Sequence, residues 1–338
     1  MTGVQTCALP IFWALEINYW TSTALVHADY EAKADAWNAR VRRSDGTERV
    51  LHPRHIIMAN GVIGAPYWPD LPGLKDFKGD VMHVEGFSTG ANWRGKKALV
   101  LGTGNSGHDV AQDLHANGAD TTIVQRGPTM VLSIDPSAKL TYGIYNGVPI
   151  DDGDLLATTN TKPMVKKNLQ TITRRMLEYD KKTIEGLIAR GFKFTDGEDG
   201  AGHQWMVRTR YGGYYLDGGC SQLIIDGAIG LLHYDQIERF VEGGALLKDG
   251  SLKAADLIVL ATGFLPQEVV VGQLLGEAVA KKVGPVWGFD ADGEMSNMWK
   301  RTAQRGLWFA GGGFNNCRTY SRYLAMQIKA IEEGLLAP

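Results

Sequence analysis

Gly102, Gly104 and Gly107 form G-x-G-x-x-G within LVLGTGNSGHDVAQDL, residues 99–114. The chemistry this spacing allows is phosphate binding. The first glycine permits a tight turn, the second lets the main chain approach a pyrophosphate, and the third lets a helix pack closely on a strand. The phosphates then lie against free N–H groups at the positive end of that helix. The plainer reading is a glycine turn kept only for packing. An NAD site offers an acidic side chain about 20 residues further on, for a ribose hydroxyl. Here that place holds Gln125 and Arg126. A guanidinium grips a 2′-phosphate through two charge-assisted bonds, where a carboxylate would repel it. The residues therefore favour NADP, against Arg126 as a mere surface charge.

Such a turn must be positioned by a strand before it and a helix after it. KALVLG reads as a buried strand, NSGHDVAQDLHANG as a helix ending on glycine, and TTIVQR as a second strand, together one βαβ half of a doubly wound sheet. Residues 23–60 read as a β-meander with an SDGT turn and a final apolar strand at 56–59. APYWPDLPGL, with Pro66, Pro69 and Pro72, is a stiff irregular connector. Residues 160–192 read as helical, with Leu169, Ile172, Met176, Ile184, Leu187 and Ile188 toward one face and a solvated basic face opposite. Residues 206–229 read as a glycine-punctuated loop leading into an apolar element. ADLIVLATGF is a further buried strand, and GLWFAGGGF is another, followed by a helix.

Composition narrows the class. The chain has 338 residues, is 44% hydrophobic and carries a formal net charge of -2, which fits an α/β protein large enough for two domains. That balance gives no reason to expect nucleic acid or an anionic membrane as a partner. Cys7, Cys220 and Cys317 are far apart and never form C-x-x-C, so neither a disulfide framework nor a metal site is expected. No apolar run approaches the roughly 20 residues that span a bilayer. A cytoplasmic enzyme is the expectation.

Upstream of the glycine turn, Phe77, Gly79, His83 and Phe87 form F-x-G-x-x-x-H-x-x-x-F. With this motif the chain resembles the class B flavoprotein monooxygenases, whose fingerprint has this form and this place. Phe87 followed by Ser88 is similar to the flavin-containing branch rather than the Baeyer–Villiger branch. The resemblance runs from about Trp13 onward, through NSGHDVAQDL, VQRGPT, GGYYLDGG, ADLIVLATGF and the C-terminal GLWFAGG and YSRYLAMQIKAIEEGL. It implies an α/β fold of two dinucleotide-binding domains, with the NADPH Rossmann domain inserted in an incomplete FAD domain. The expected boundaries are 13–89 for the first FAD segment, 90–225 for the NADPH domain with a helical insertion, and 226–338 for the FAD return segment.

Carried onto this sequence, the resemblance implies that Gly102, Thr103, Gly104, Asn105, Ser106, Gly107 and Arg126 hold NADPH. Ala261, Thr262 and Gly263 form the A-T-G turn between the domains, and Gly311 and Gly312, with the helix after them, face the flavin of FAD. His83 is the one catalytic candidate, weighed against a hydrogen-bonded hinge residue. MANG at 58–61 occupies the first A-T-G position, with Asn60 for Thr. The implied activity passes hydride from NADPH to FAD. The reduced flavin captures O₂ as a C4a-peroxyflavin, which gives oxygen to a small organic substrate, at N, S or a carbonyl carbon. Relatives keep a first Rossmann unit ahead of the meander, and residues 1–12 leave no room for its roughly 30 residues. GVQTCALPI resembles translated sequencing-adapter sequence, so residues 1–12 are expected to be an artefactual leader on a truncated chain. The alternatives are a non-catalytic NADP-binding fragment and a flavin-linked reductase of another type, the latter lacking its redox C-x-x-C. The oligomeric state is unknown from sequence.

Overall fold

Each strand of the nucleotide unit alternates its side chains between two different coverings. The structure, a computed structural model, describes residues 19–337, so the expected leader 1–12 and the start of the 13–89 segment lie outside the described residues. In chain order the strands and helices are β1 (Thr23–Glu31), β2 (Ala36–Arg43), β3 (Glu48–Leu51), β4 (Ile56–Met58), β5 (Asp80–His83), β6 (Lys97–Leu101), α1 (Asn105–Ala116), β7 (Asp120–Gln125) and β8 (Met130–Ser133). An inserted helical stretch follows, with α2 (Ile150–Thr158), α3 (Lys162–Tyr179), α4 (Lys181–Ala189) and α5 (Gly202–Arg210). Then come β9 (Tyr214–Asp217), α6 (Cys220–Ile225), β10 (Gly230–His233), β11 (Ile237–Val241), β12 (Gly244–Leu247), β13 (Leu252–Ala254) and β14 (Leu257–Leu260). The chain closes with α7 (Gln267–Leu275), α8 (Glu277–Val283), β15 (Leu307–Phe309) and α9 (Phe314–Glu332).

Five parallel strands in the order β10, β7, β6, β14, β5 form the central sheet. Ala98 and Val100 point to a face covered by Val110, Ala111 and Leu114 of α1 and Ile224 of α6. Leu99 and Leu101 point to the other face, against Phe240 and Ala245 of the antiparallel β11, β12, β13 sheet. Both faces are thus dry, as a parallel sheet requires. The expected span of 90–225 is narrower than this sheet. Asp80–His83, Gly230–His233 and Leu257–Leu260 all lie outside it, yet supply three of the five strands. The reason is non-local: β14 pairs with β6 on one edge and β5 on the other.

The second unit is built on the parallel pair β4/β15. Leu307 and Phe309 pack toward Trp37 and Ala39 of the β1, β2, β3 meander and toward Val271 of α7. Trp308 faces the opposite way, onto Leu324 and Ile331 of α9.

Residues 206–229 depart from the loop expectation. The stretch begins inside α5 and then forms strand β9, parallel to β8, and helix α6. Two features hid them: Gly212, Gly213, Gly218 and Gly219 break the pattern, and the strand is too short for its period to register. In the helical stretch Leu169, Met176, Ile184 and Leu187 are buried, whereas Ile188 is exposed.

Candidate dinucleotide-binding site

The three glycines of the turn do three separable jobs. Gly102 has φ +125°, and a Cβ there would lie 2.2 Å from the carbonyl oxygen of Ala261. Gly107 sits in the first turn of α1, where a Cβ would meet the Gly102 carbonyl at 2.0 Å. Both are therefore required by packing. Gly104 differs. Its backbone is extended (φ -79°, ψ -174°), and a Cβ would find only the Tyr214 carbonyl, at 3.8 Å. Nothing in the fold asks for glycine at 104. It is the N-cap of α1 and provides no side-chain cap, so the first N–H groups of a 12-residue helix have no side chain from that position to bond.

Neighbouring side chains fix the turn. Thr103 and Thr129 share a hydrogen bond between hydroxyls at 2.6 Å. Asn105 Oδ1 accepts from the Leu216 N–H at 2.8 Å, while Ser106 is exposed. His108, one turn further on, is fully buried and stacks on Tyr215 at 3.8 Å. Its Nδ1–H donates to the Gly104 carbonyl at 3.1 Å. Burial pushes the imidazole down to about 4, and its Nε2 has no partner.

At the end of β7 the two candidate residues separate cleanly. Gln125 is buried, and its amide is consumed by the main chain of Lys193, donating to the carbonyl at 2.9 Å and accepting from the N–H at 2.7 Å. Arg126 is exposed and has no ion pair or hydrogen bond among the described residues. A site for a 2′-phosphate needs such a free guanidinium.

The strand order reverses between β6 and β14, and the glycine turn lies at their carboxyl ends, the usual ligand crevice of an open α/β sheet. From β14 the chain crosses to the second unit as a ribbon. Leu265 N–H donates to the Ala65 carbonyl and Gly64 N–H to the Leu265 carbonyl, both at 2.7 Å, and Thr262 Oγ1 donates to the Tyr67 carbonyl at 2.7 Å. Asn60 donates to Gln267 at 3.3 Å, and Gln267 donates in turn to the Gly61 and Ile63 carbonyls. His83, at the end of β5, is buried against this ribbon. Its Nδ1 accepts from the Glu85 N–H at 3.2 Å, so Nε2 carries the proton and donates to the Gly263 carbonyl at 3.0 Å.

The ribbon leads to a second glycine cluster. A Cβ on Gly311 would meet Val62 at 2.9 Å and Gly61 at 3.2 Å, so these turns touch. Beside them, at the carboxyl ends of β4 and β15, opens a largely apolar groove of 670 Å³, lined by Ile57, Gly61, Trp299, Gly312, Cys317 and Leu324 among others. A smaller cavity of 330 Å³ lies at the opposite strand ends. There Arg54 pairs with Glu332 at 2.6 Å and Arg305 pairs with Asp35, so its charges are largely neutralised.

The flavin-binding monooxygenase-like family model matches residues 17–271. The chain belongs to this family. The rice indole-3-pyruvate monooxygenase YUCCA1 (Oryza sativa subsp. japonica) is 38% identical over 117 residues, 35% of this chain and 28% of that protein. The probable indole-3-pyruvate monooxygenase YUCCA7 of Arabidopsis thaliana is 30% identical over 215 residues, 62% of this chain and 44% of that protein. The chain therefore spans about half, or less, of the curated relatives it matches. Among solved structures, caprolactone-bound cyclohexanone monooxygenase superposes with a TM-score of 0.62 at 15% identity, covering 97% of this chain and 72% of that one. That likeness shows the fold, an α/β flavin monooxygenase architecture of two dinucleotide-binding domains.

Within this flavin-binding monooxygenase-like chain, several positioning residues escaped sequence reading. The Gln125 link to Lys193 and the His108 stack on Tyr215 carry no local signature, because their partners lie far along the chain. The same is true of Asp154 in α2, buried and held bidentately by Arg318 of α9 at 2.7 and 2.5 Å. Among the described residues no helix is long and apolar enough to cross a membrane.

Proposed function

We propose that this chain supplies the NADPH-binding domain and the flavin-facing turns of an NADPH- and FAD-dependent monooxygenase acting, with O₂, on a small organic substrate in the cytoplasm. The observation that carries the reading is Gly104: an unstrained position with room for a Cβ, kept as glycine at a helix start without a side-chain cap. A pyrophosphate there accepts from the free N–H groups of α1, and Arg126 supplies the cation for a 2′-phosphate. Thr103, Asn105 and Ser106 complete the turn, and Ala261 closes its floor.

The flavin side also fits. The groove beside Gly61, Gly311 and Gly312 is apolar and of ligand size, as a planar ring system needs. Held beside Gly61, Gly311 and Gly312, FAD would supply the two-electron chemistry that links NADPH to O₂. The protein's own part is to hold the two ligands in register and keep water from the reacting ring. His83 serves the hinge rather than proton transfer, since both ring nitrogens are engaged by main chain. The named activities of relatives, indole-3-pyruvate oxygenation and N-oxide formation by the guinea-pig (Cavia porcellus) dimethylaniline monooxygenase 2, set the range of substrates to try.

A second reading rests on a specific observation. Among the described residues one G-x-G-x-x-G turn stands at a helix start, and it suits the nicotinamide dinucleotide. On that reading it binds NADP(H) more tightly than FAD. Calorimetric titration with NADP⁺, NAD⁺ and FAD tests both readings. Saturable NADP⁺ binding that exceeds NAD⁺ binding is expected, and its absence would overturn the nicotinamide assignment. NADPH-dependent O₂ uptake in the flavin-loaded protein then separates a monooxygenase from a binding module.

A further inference from the structure

The segment inserted between β8 and β9 is tied at both ends to the nicotinamide turn. The ties are made by the two strands that bracket it: Thr129, just before β8, is bonded to Thr103, and the N–H of Leu216 in β9 is held by Asn105. The middle of the same segment is tied to the other unit. Asp154 of α2 takes the guanidinium of Arg318 through Nε at 2.7 Å and a terminal nitrogen at 2.5 Å, and the Tyr145 hydroxyl donates to the same carboxylate at 3.0 Å. Arg318 also lies over the Tyr145 ring, 5.9 Å from its centre. Arg318 stands in the second turn of α9, whose N-cap is Gly313, the last glycine of the flavin-facing cluster. The segment from 129 to 216 therefore touches the 102–107 turn at both ends and, in its middle, the helix that follows 311–313.

A bidentate arginine–carboxylate pair fixes orientation as well as distance, which a single bond or an apolar contact does not. Asp154 is buried while Arg318 is partly exposed, so the carboxylate, further held by Tyr145, is the fixed side of the pair. Arg322 and Asp151, exposed and 3.8 Å apart, flank it but cannot replace it.

We propose that Arg318 is a positioning residue which, through Asp154, transmits occupancy of the nicotinamide turn to the flavin-facing turn at 311–313. The inference rests on the nicotinamide assignment above. Neither side chain touches the nicotinamide turn, so breaking the pair leaves the affinity for NADP⁺ nearly unchanged but uncouples the two turns.

The test is amide hydrogen exchange on the full chain, with NADP⁺ as the probe. In the parent, saturating NADP⁺ slows exchange at 102–107 and also at 311–320, the latter by about fivefold, the lower end of ordinary coupling between sites. In Asp154→Asn and Arg318→Gln the protection at 102–107 remains, NADP⁺ affinity stays within about twofold, and the change at 311–320 disappears. Arg318→Lys keeps the charge but loses the fork, and retains only part of the distant protection. It also serves as the variant of record if either neutral substitution prevents folding. Protection at 311–320 that survives in all foldable variants overturns the proposal, as does a parent in which NADP⁺ protects 102–107 alone. Protection at neither stretch overturns the nicotinamide assignment itself, and the relay with it.

Discussion

The protonated Nε2 of His83 donates to the main-chain carbonyl of Gly263 at 3.0 Å, tying the end of β5 to the crossover that follows β14. A histidine so placed is spent on structure. Removing it loses two hydrogen bonds, each worth about 0.5–1.5 kcal/mol, and leaves the half-buried Gly263 carbonyl with the Tyr67 N–H alone. His83→Ala should therefore lower the denaturant midpoint while the pH profile of NADPH oxidation, in flavin-loaded protein, keeps its shape. Loss of a pKa from that profile would restore His83 as an acid–base group.

Gly104 and Gly107 should respond oppositely to the same change. Gly104→Ala adds a Cβ that meets only one carbonyl, at ordinary contact distance, so the melting temperature stays near the parent's. The methyl instead stands where a pyrophosphate must approach, and NADP⁺ affinity falls. Gly107→Ala drives a Cβ to 2.0 Å from the Gly102 carbonyl and should destabilise or prevent folding. Calorimetry and thermal melts on the two variants decide the matter. Normal NADP⁺ binding by Gly104→Ala would show that the helix start is not the ligand site.

Among the described residues Arg126 has no partner to satisfy its charge. Arg126→Ala should weaken NADP⁺ binding by roughly tenfold to a hundredfold, the range of about 1.5–3 kcal/mol for a hydrogen bond to a charged group. NAD⁺, which lacks the phosphate, should bind the variant as it binds the parent. Equal losses for both dinucleotides would remove Arg126 from the site.

Acid should loosen the nucleotide unit through His108. Burial holds its imidazole down to about 4, whereas in the unfolded chain it returns to about 6.5. The native state is thus favoured at higher pH, and this contribution is lost as pH falls from about 6.5 towards 4. His203, buried beside Tyr214, is likewise held down to about 4 and adds to the same slope. Melting temperature should drop across that window, and His108→Gln should flatten part of the drop. An unchanged slope in the variant would place the acid sensitivity in other groups.

What was legible in the sequence is what local chemistry decides. The glycine turn, the strand before it and the helix after it could be read because they are contiguous in the chain, although the group that Gly102 packs against, Ala261, is distant and carried no signal. The hydrophobic runs at 97–101 and 257–260 announced buried strands for the same reason. Their adjacency was not announced, since nothing in either run names its partner. The Asp154 and Arg318 pair is separated by 164 residues, and in sequence each is one charge among many. Tyr214–Asp217 and its neighbours were obscured by flanking glycines that serve tight turns, Gly213 at φ +90° and Gly219 at φ +121°.

The place of β14 in the sheet also sets a timetable. Leu257 pairs with Ala98 on one side and Asp80 on the other, so both older strands leave the ribosome with an open edge and wait for the strand between them. Contacts so distant in the chain form late, and the waiting edges are available to other molecules meanwhile. The turn at 102–107 shares this delay, because Gly102 and Gly107 pack on Ala261. A nascent chain halted near residue 250 would already hold every glycine of the motif and Arg126, yet its binding crevice would lack a wall. Nucleotide cannot act as a folding template for this unit early in translation; it can only seal a sheet whose last strand has arrived.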